Sequence, residues 1–244
     1  MKFAARSDRG LVRELNEDSY RIISGSSGTP FVFIVADGMG GHNCGEVASK
    51  MTVEYIKNTV ERGGFSLGSP EDVEEAFREI VIGANKAVFE ASLEQPGTSG
   101  MGTTLTMAVI YGNKVTVAHV GDSRLYLVRE GNIRQLTEDH SYISELVKNG
   151  TLTIEEAKMH PNKHVITRAI GTSSALDVGI MSFDYEEGDI FVLCTDGLTN
   201  KLEEYEILDV IANNEPDEAC EKLVDIAKSK GGEDNITVIV IKCE

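Results

Sequence analysis

The chain has 244 residues, 41 % of them hydrophobic, and a formal net charge of -17. That length suits one large domain or two small ones, and that apolar content builds a sizeable core, which argues against intrinsic disorder. The acidic balance disfavours nucleic acid and anionic membranes as partners, because both would be repelled.

Strand-like runs occupy residues 2–6, 19–24, 31–36, 103–111, 114–120, 124–129, 132–136, 190–195 and 236–242. Two long helical segments fall between the third and fourth runs. Val47, Ala48, Met51, Tyr55 and Ile56 line one face of the first. Val73, Ala76, Phe77, Ile80, Val81, Ala84, Ala87 and Val88 form an apolar stripe along the second. A further helical pair covers 203–212 and 217–228. The short turns Gly112-Asn113 and Glu130-Gly131 join strands into hairpins, which means antiparallel sheet. Helices grouped in pairs around antiparallel strands predict a layered α+β sandwich with the helices outside. Residues 140–163 read as two short helices around Asn149-Gly150, either a small flap beside the site or a plain surface excursion. No repeat or interdomain linker interrupts residues 1–244, so a single domain is expected.

No stretch is long or apolar enough to span a bilayer, and charge at Arg6 and Asp8 leaves no room for a signal-peptide core. Cys44, Cys194, Cys220 and Cys243 form no Cys-x-x-Cys pair. A reduced, cytoplasmic protein without membrane insertion, disulfide framework or zinc knuckle is therefore expected, with a monomer as the default.

Four aspartates stand where an apolar run gives way to glycine or a polar turn: Asp37-Gly38, Gly121-Asp122, Asp196-Gly197 and Asp234-Asn235. Strand ends fix a side chain firmly, and carboxylates gathered from distant parts of a chain usually hold hard cations, since unpaired buried charge is too costly to keep. Carboxylate and backbone oxygen suit magnesium and manganese. Two such ions roughly 3.5–4 Å apart activate a water and stabilise both ends of an in-line phosphoryl displacement. Asp37 suits a bridging role with the Gly38 carbonyl beside it, Asp196 and Asp234 complete the cage, and Glu17 and Asp18 suit an outer ring that holds metal-bound waters. Arg13, four residues before Glu17, supplies a planar fork that matches two phosphate oxygens. A cysteine-based phosphatase would need an arginine six places after its cysteine, and Cys44 meets Lys50 there.

Arg13-x-x-Asn16-Glu17-Asp18, Asp37-Gly38-Met39-Gly40-Gly41-His42, Gly100-x-Gly102-Thr103-Thr104, Gly121-Asp122-Ser123-Arg124, Leu136-Thr137-x-Asp139-His140-Ser141, Thr167-Arg168-Ala169-Ile170-Gly171, Thr195-Asp196-Gly197-Leu198 and Asp234-Asn235-Ile236-Thr237 occur in this order. Together they resemble the ordered motifs of metal-dependent protein phosphatases of the 2C type, and most closely the short bacterial members. The resemblance implies a four-layer αββα sandwich. It also implies hydrolysis of phosphoserine and phosphothreonine on proteins by a hydroxide activated at a dinuclear Mn2+ or Mg2+ centre, with no phosphoenzyme. Carried over to this sequence, Asp37, Gly38, Asp196 and Asp234 would hold two core ions, Asp122 with Asp196 would match a third metal position, and Arg13 would hold the phosphate. Eukaryotic relatives place a histidine directly after the first Asp-Gly. Here Met39 stands there and His42 follows three places later, as general acid for the leaving alcohol or as a loop histidine packed near the metals. Phosphorylated proteins, among them a bacterial serine/threonine kinase whose signalling the enzyme reverses, are the implied partners. The alternative is a catalytically silent, partner-binding domain of the same fold.

Overall fold

The computed structural model describes residues 1–25, 29–40, 44–63, 70–94 and 97–244. In chain order its elements are β1 (Lys2–Asp8), β2 (Asp18–Ile23), β3 (Phe31–Met39), α1 (Cys44–Arg62), α2 (Pro70–Glu94), β4 (Gly102–Thr103), β5 (Leu105–Tyr111), β6 (Lys114–Val120), β7 (Arg124–Arg129), β8 (Asn132–Gln135), α3 (Tyr142–Lys148), α4 (Ile154–Lys158), β9 (Gly179–Asp184), β10 (Ile190–Cys194), α5 (Asp196–Thr199), α6 (Glu204–Asn213), α7 (Pro216–Ser229) and β11 (Ile236–Lys242).

The unbroken apolar run of β3 sets the layer order. Side chains alternate across a strand, so a continuous apolar run needs a core on each face. Phe33 and Val35 enter one core, while Val32, Ile34 and Ala36 enter another. Among the described residues the strands form two antiparallel sheets, ordered β1-β11-β10-β7-β8 and β2-β3-β5-β6-β9, with β4 beside β3. Phe33, Val117, Leu125, Phe191, Leu193 and Ile239 fill the space between the sheets. On the outer face of the second sheet, Ile56, Phe77 and Val81 of α1 and α2 pack with Ile34 and Met107. On the outer face of the first, Ile207, Ile211 and Leu223 of α6 and α7 pack with Val192 and Val238. Three cores separate four layers, the αββα sandwich that the sequence predicts.

The differences from expectation fall near the polar edge. β3 continues through Asp37 to Met39 and pairs there with β4, so Asp37 lies inside a strand rather than at its end. The run 103–111 is broken at Thr104, whose side chain is turned to another use. β10 stops at Cys194, and Asp196 opens the short helix α5. β9 has no counterpart in the sequence reading. It is an edge strand beside β6, half-buried from Gly179 to Phe183 and exposed at Asp184, and no two-residue turn like Glu130-Gly131 marks either end of it.

The segment 140–163 does form two short helices. Ser141 caps α3, Thr153 and Glu156 form a capping box on α4, and Gly150 turns the chain between them at φ 75°. The excursion is stapled at its base, where Tyr142 N donates to Val165 O at 2.8 Å and Thr167 N donates to His140 O at 2.8 Å.

Two glycines let backbones converge at the edge. A Cβ on Gly38 would lie 2.2 Å from the Gly45 carbonyl oxygen, and one on Gly197 would lie 1.9 Å from that of Asn235. Neither position admits a side chain, so each aspartate before them is locked against a neighbouring element.

Candidate metal centre

Asp37 is the register partner of Asp18 across β2 and β3. Asp122 follows β6 through Gly121, Asp196 is the first residue of α5, and Asp234 leads into β11. These elements come from both sheets, yet their polar ends meet. Arg13, Glu17, Asp37, Gly38, Asp122, Asp196 and Asp234 line one basin of about 590 Å3. Asp18 stands behind it, buried against Thr195 and Thr237. His42 lies outside the described residues.

The field in the basin is strongly negative. Burial pushes the Asp37 carboxyl well above its ordinary range, and Asp18, Asp196, Asp122 and Asp234 push it the same way. Burial, then Asp196 and Asp139, raise Asp122 to about 7. Asp18 is raised to about 7 by burial, against the lowering effect of hydrogen bonds from Thr237 and Thr195. Asp196 is raised by burial and by Asp234, and shares a hydrogen bond with Asp37. Carboxylates this close ionise together only if something positive sits between them.

A fixed scaffold holds the acids. Asp37 N donates to Thr104 Oγ1 at 2.9 Å, and the Asp37 carbonyl accepts from Thr104 N at 2.9 Å and from Thr103 Oγ1 at 2.8 Å. Asn200 Nδ2 donates to Asp196 Oδ2 at 3.0 Å, one helical turn on. Asn235 clamps the loop after β1: its Oδ1 accepts from Glu17 N at 2.8 Å, and its Nδ2 donates to the carbonyls of Arg9 and Leu15, both at 2.9 Å. Arg13 Nη2 bonds Asp234 Oδ2 at 2.9 Å, and Nη1 reaches Glu17 Oε2 at 4.0 Å. Burial raises the Glu17 carboxyl, while Arg13 and the Gly45 backbone oppose that.

The sequence reading assigned no role to Thr104, Asn200 or Asn235. Asn235 adjoins Asp234, and Asn200 lies four places after Asp196, but neither spacing reveals which backbone the amide will meet. Lys163, His164 and Lys201 also line the basin, and His164 exerts a field on Asp196. His119, by contrast, is a core residue. It is buried, bonded to Thr106 Oγ1 at 2.9 Å and to Glu138 O at 3.1 Å.

The donor set fits hard divalent cations. It is an all-oxygen set of mutually repelling carboxylates, and Asp18 Oδ1 is buried with no hydrogen-bond partner among the described residues. No three of the described acidic, histidine or cysteine side chains already form a closed cage. The arrangement is open, and a cation would draw the carboxylates in.

An antiparallel αββα sandwich with an acidic basin at one sheet edge and an arginine on its wall defines a narrow class of proteins. Residues 11–226 match the model of the family described as Protein phosphatase 2C, and the chain belongs to that family. The serine/threonine phosphatase stp of Listeria monocytogenes is 37 % identical over 238 residues, covering 97 % of this chain and 94 % of that one. The solved structure of the Mycobacterium tuberculosis serine/threonine phosphatase PstP superposes with a TM-score of 0.88 at 36 % identity, covering 100 % of this chain and 98 % of that one. The catalytic domain of PstP, solved in complex with two manganese ions, gives a TM-score of 0.84 at 34 % identity and covers 98 % of this chain and 96 % of that one.

Proposed function

We propose that the chain is a metal-dependent protein serine/threonine phosphatase that hydrolyses phosphoserine and phosphothreonine on proteins. The observation that carries this reading is the meeting of Asp37, Asp122, Asp196 and Asp234 with Arg13 on one basin. In this reading Asp37, the Gly38 carbonyl, Asp196 and Asp234 would hold a dinuclear Mn2+ or Mg2+ centre, and Asp122 with Asp196 would hold a third ion. When bound, the ions would activate water and neutralise phosphoryl charge.

The chain's own residues do the rest. Arg13 exchanges its partners Asp234 and Glu17 for two phosphate oxygens and orients phosphorus for in-line attack. Glu17 orients water at the rim of the centre, and Asp18 supports it from behind, with one oxygen already fixed by two threonines. His42 donates a proton to the leaving alkoxide. The segment 140–163 acts as a flap, supported by Lys163 and His164 at its end lining the basin. The catalytically silent alternative gains no support, because each proposed ligand side chain is acidic.

The same reading makes residues 1–244 one catalytic domain, monomeric and cytoplasmic, with a bacterial serine/threonine kinase among its phosphoprotein partners. All four cysteines are buried, and no described helix is long and apolar enough to cross a membrane.

Phosphate release from a phosphothreonine peptide tests the proposal, measured with Mn2+, with EDTA, and with Asp196→Asn plus Mn2+. Release that needs Mn2+ and is lost in the variant supports it. Release that survives both EDTA and the substitution removes the metal assignment.

A further inference from the structure

Leu11 and Val12 are 62 % and 64 % exposed, on the loop between β1 and β2 that also carries Arg13. This loop is held at several points. Leu11 N donates to Gly232 O at 2.7 Å, Gly10 N donates to Asp8 Oδ1 at 2.9 Å, and Asn235 holds the carbonyls of Arg9 and Leu15. A firmly fixed backbone thus presents two adjacent aliphatic side chains to water, directly before Arg13 in the chain. Leu11 packs over Gly232, where an added Cβ would lie 3.1 Å from Leu11 Cγ, and the next two residues, Glu233 and Asp234, line the basin.

We infer that Leu11 and Val12 are an apolar lip of the substrate groove, receiving an apolar side chain that lies within a few residues of the phosphorylated serine or threonine. The inference rests on the phosphatase reading and adds sequence preference to it. Continuity argues for the occupant: Val12 adjoins Arg13 in the chain, so residues flanking a phosphate held by Arg13 come within reach of the lip. Charge disfavours a second copy as occupant, since each copy carries a net -17.

The test uses phosphothreonine peptides of one base sequence, a single leucine being moved through the flanking positions with serine elsewhere. Each is assayed for kcat/KM with Mn2+ on the full chain, beside p-nitrophenyl phosphate, which carries no flanking residue for the lip to receive. Leucine at one or two positions should raise kcat/KM about fivefold or more. Leu11→Ser with Val12→Ser should erase that preference and leave p-nitrophenyl phosphate turnover unchanged. Val12→Ser alone, at a 64 % exposed side chain, supplies the same comparison if the double variant folds poorly. Equal turnover of every peptide beside normal p-nitrophenyl phosphate hydrolysis overturns the lip and leaves the phosphatase standing. So does a preference that survives the double substitution, or a dimer in sedimentation that the same substitutions dissolve. No hydrolysis of any substrate overturns the phosphatase reading and the lip with it.

Discussion

Asp18 and Asp37 face each other as register partners across β2 and β3. Like charges directly opposite in an antiparallel pair destabilise a sheet, and here Asp18 is also buried, while Asp37 is half-buried on the basin wall and raised chiefly by desolvation. The pair is tolerable only with protons or a cation present. The fold therefore stores a demand for positive charge at one edge of its sandwich.

That demand predicts how stability responds to pH and metal. Asp18 and Asp122 are raised to about 7, so between about pH 4 and 7 the metal-free fold binds more protons than the unfolded chain. Its stability should fall as pH rises through that window. Mn2+ competes with those protons, so it should raise Tm more at pH 7.5 than at pH 5.5, by roughly 3–6 °C for a gain of ~1–2 kcal/mol. Asp37→Asn should raise the Tm of the metal-free protein at pH 7.5 and remove most of the Mn2+ effect. Differential scanning calorimetry at the two pH values decides. A Tm indifferent to Mn2+ in the wild type would sink the account.

Asn235 ties the Arg13 loop to the strand that Asp234 opens. Asn235→Ala removes three hydrogen bonds to backbone groups, which should cost about 2–3 kcal/mol. Because Arg13 loses its fixed position, KM for phosphopeptides should rise at least severalfold under conditions where the variant remains folded. Denaturant melts and steady-state kinetics check the two effects separately. An unchanged KM would mean that Arg13 is held by Asp234 alone.

The leaving alkoxide of a phosphothreonine needs a proton, whereas p-nitrophenolate leaves without one. His42→Ala should therefore lower kcat on a phosphothreonine peptide about 100-fold or more and barely change turnover of p-nitrophenyl phosphate. His164→Ala serves as comparison, because His164 lines the basin. If the selective loss appears with His164→Ala instead, the proton comes from the flap side of the basin.

His119 is packed away from the chemistry and gives a separate pH signature. Burial, reinforced by the nearby His140, lowers it to about 4. Below about pH 6.5 the unfolded chain takes up a proton that the fold does not, so this group's contribution to stability is lost as pH falls from about 6.5 to 4. The loss should reach roughly 3 kcal/mol. Urea melts of wild type and His119→Gln across that range should show the wild type dropping relative to the variant as pH falls, whatever slope the carboxylates give to both, with parallel curves as the contrary result.

Much of the architecture is legible because it rests on local periodicity. The stripe from Val73 to Val88 and the continuous run beginning at Phe31 each state their own burial, one face for the helix and two for the strand. β9 is illegible for the same reason. As a half-buried edge strand it needs no apolar alternation, and β6 supplies its pairing.

The acidic positions Asp37, Asp122, Asp196 and Asp234 could be read from the sequence because each adjoins a glycine or a polar turn where an apolar run ends. Their meeting could not be read from it. Only the tertiary structure decides that Asp18 lies opposite Asp37, that Thr195 and Thr237 both bond one Asp18 oxygen, and that Asn235 reaches back to a loop more than two hundred residues earlier. Local sequence fixes the period and the turn chemistry. Which polar groups share a site depends on sheet register and on close backbone approaches such as those at Gly38 and Gly197, and these exist only once the layers have packed.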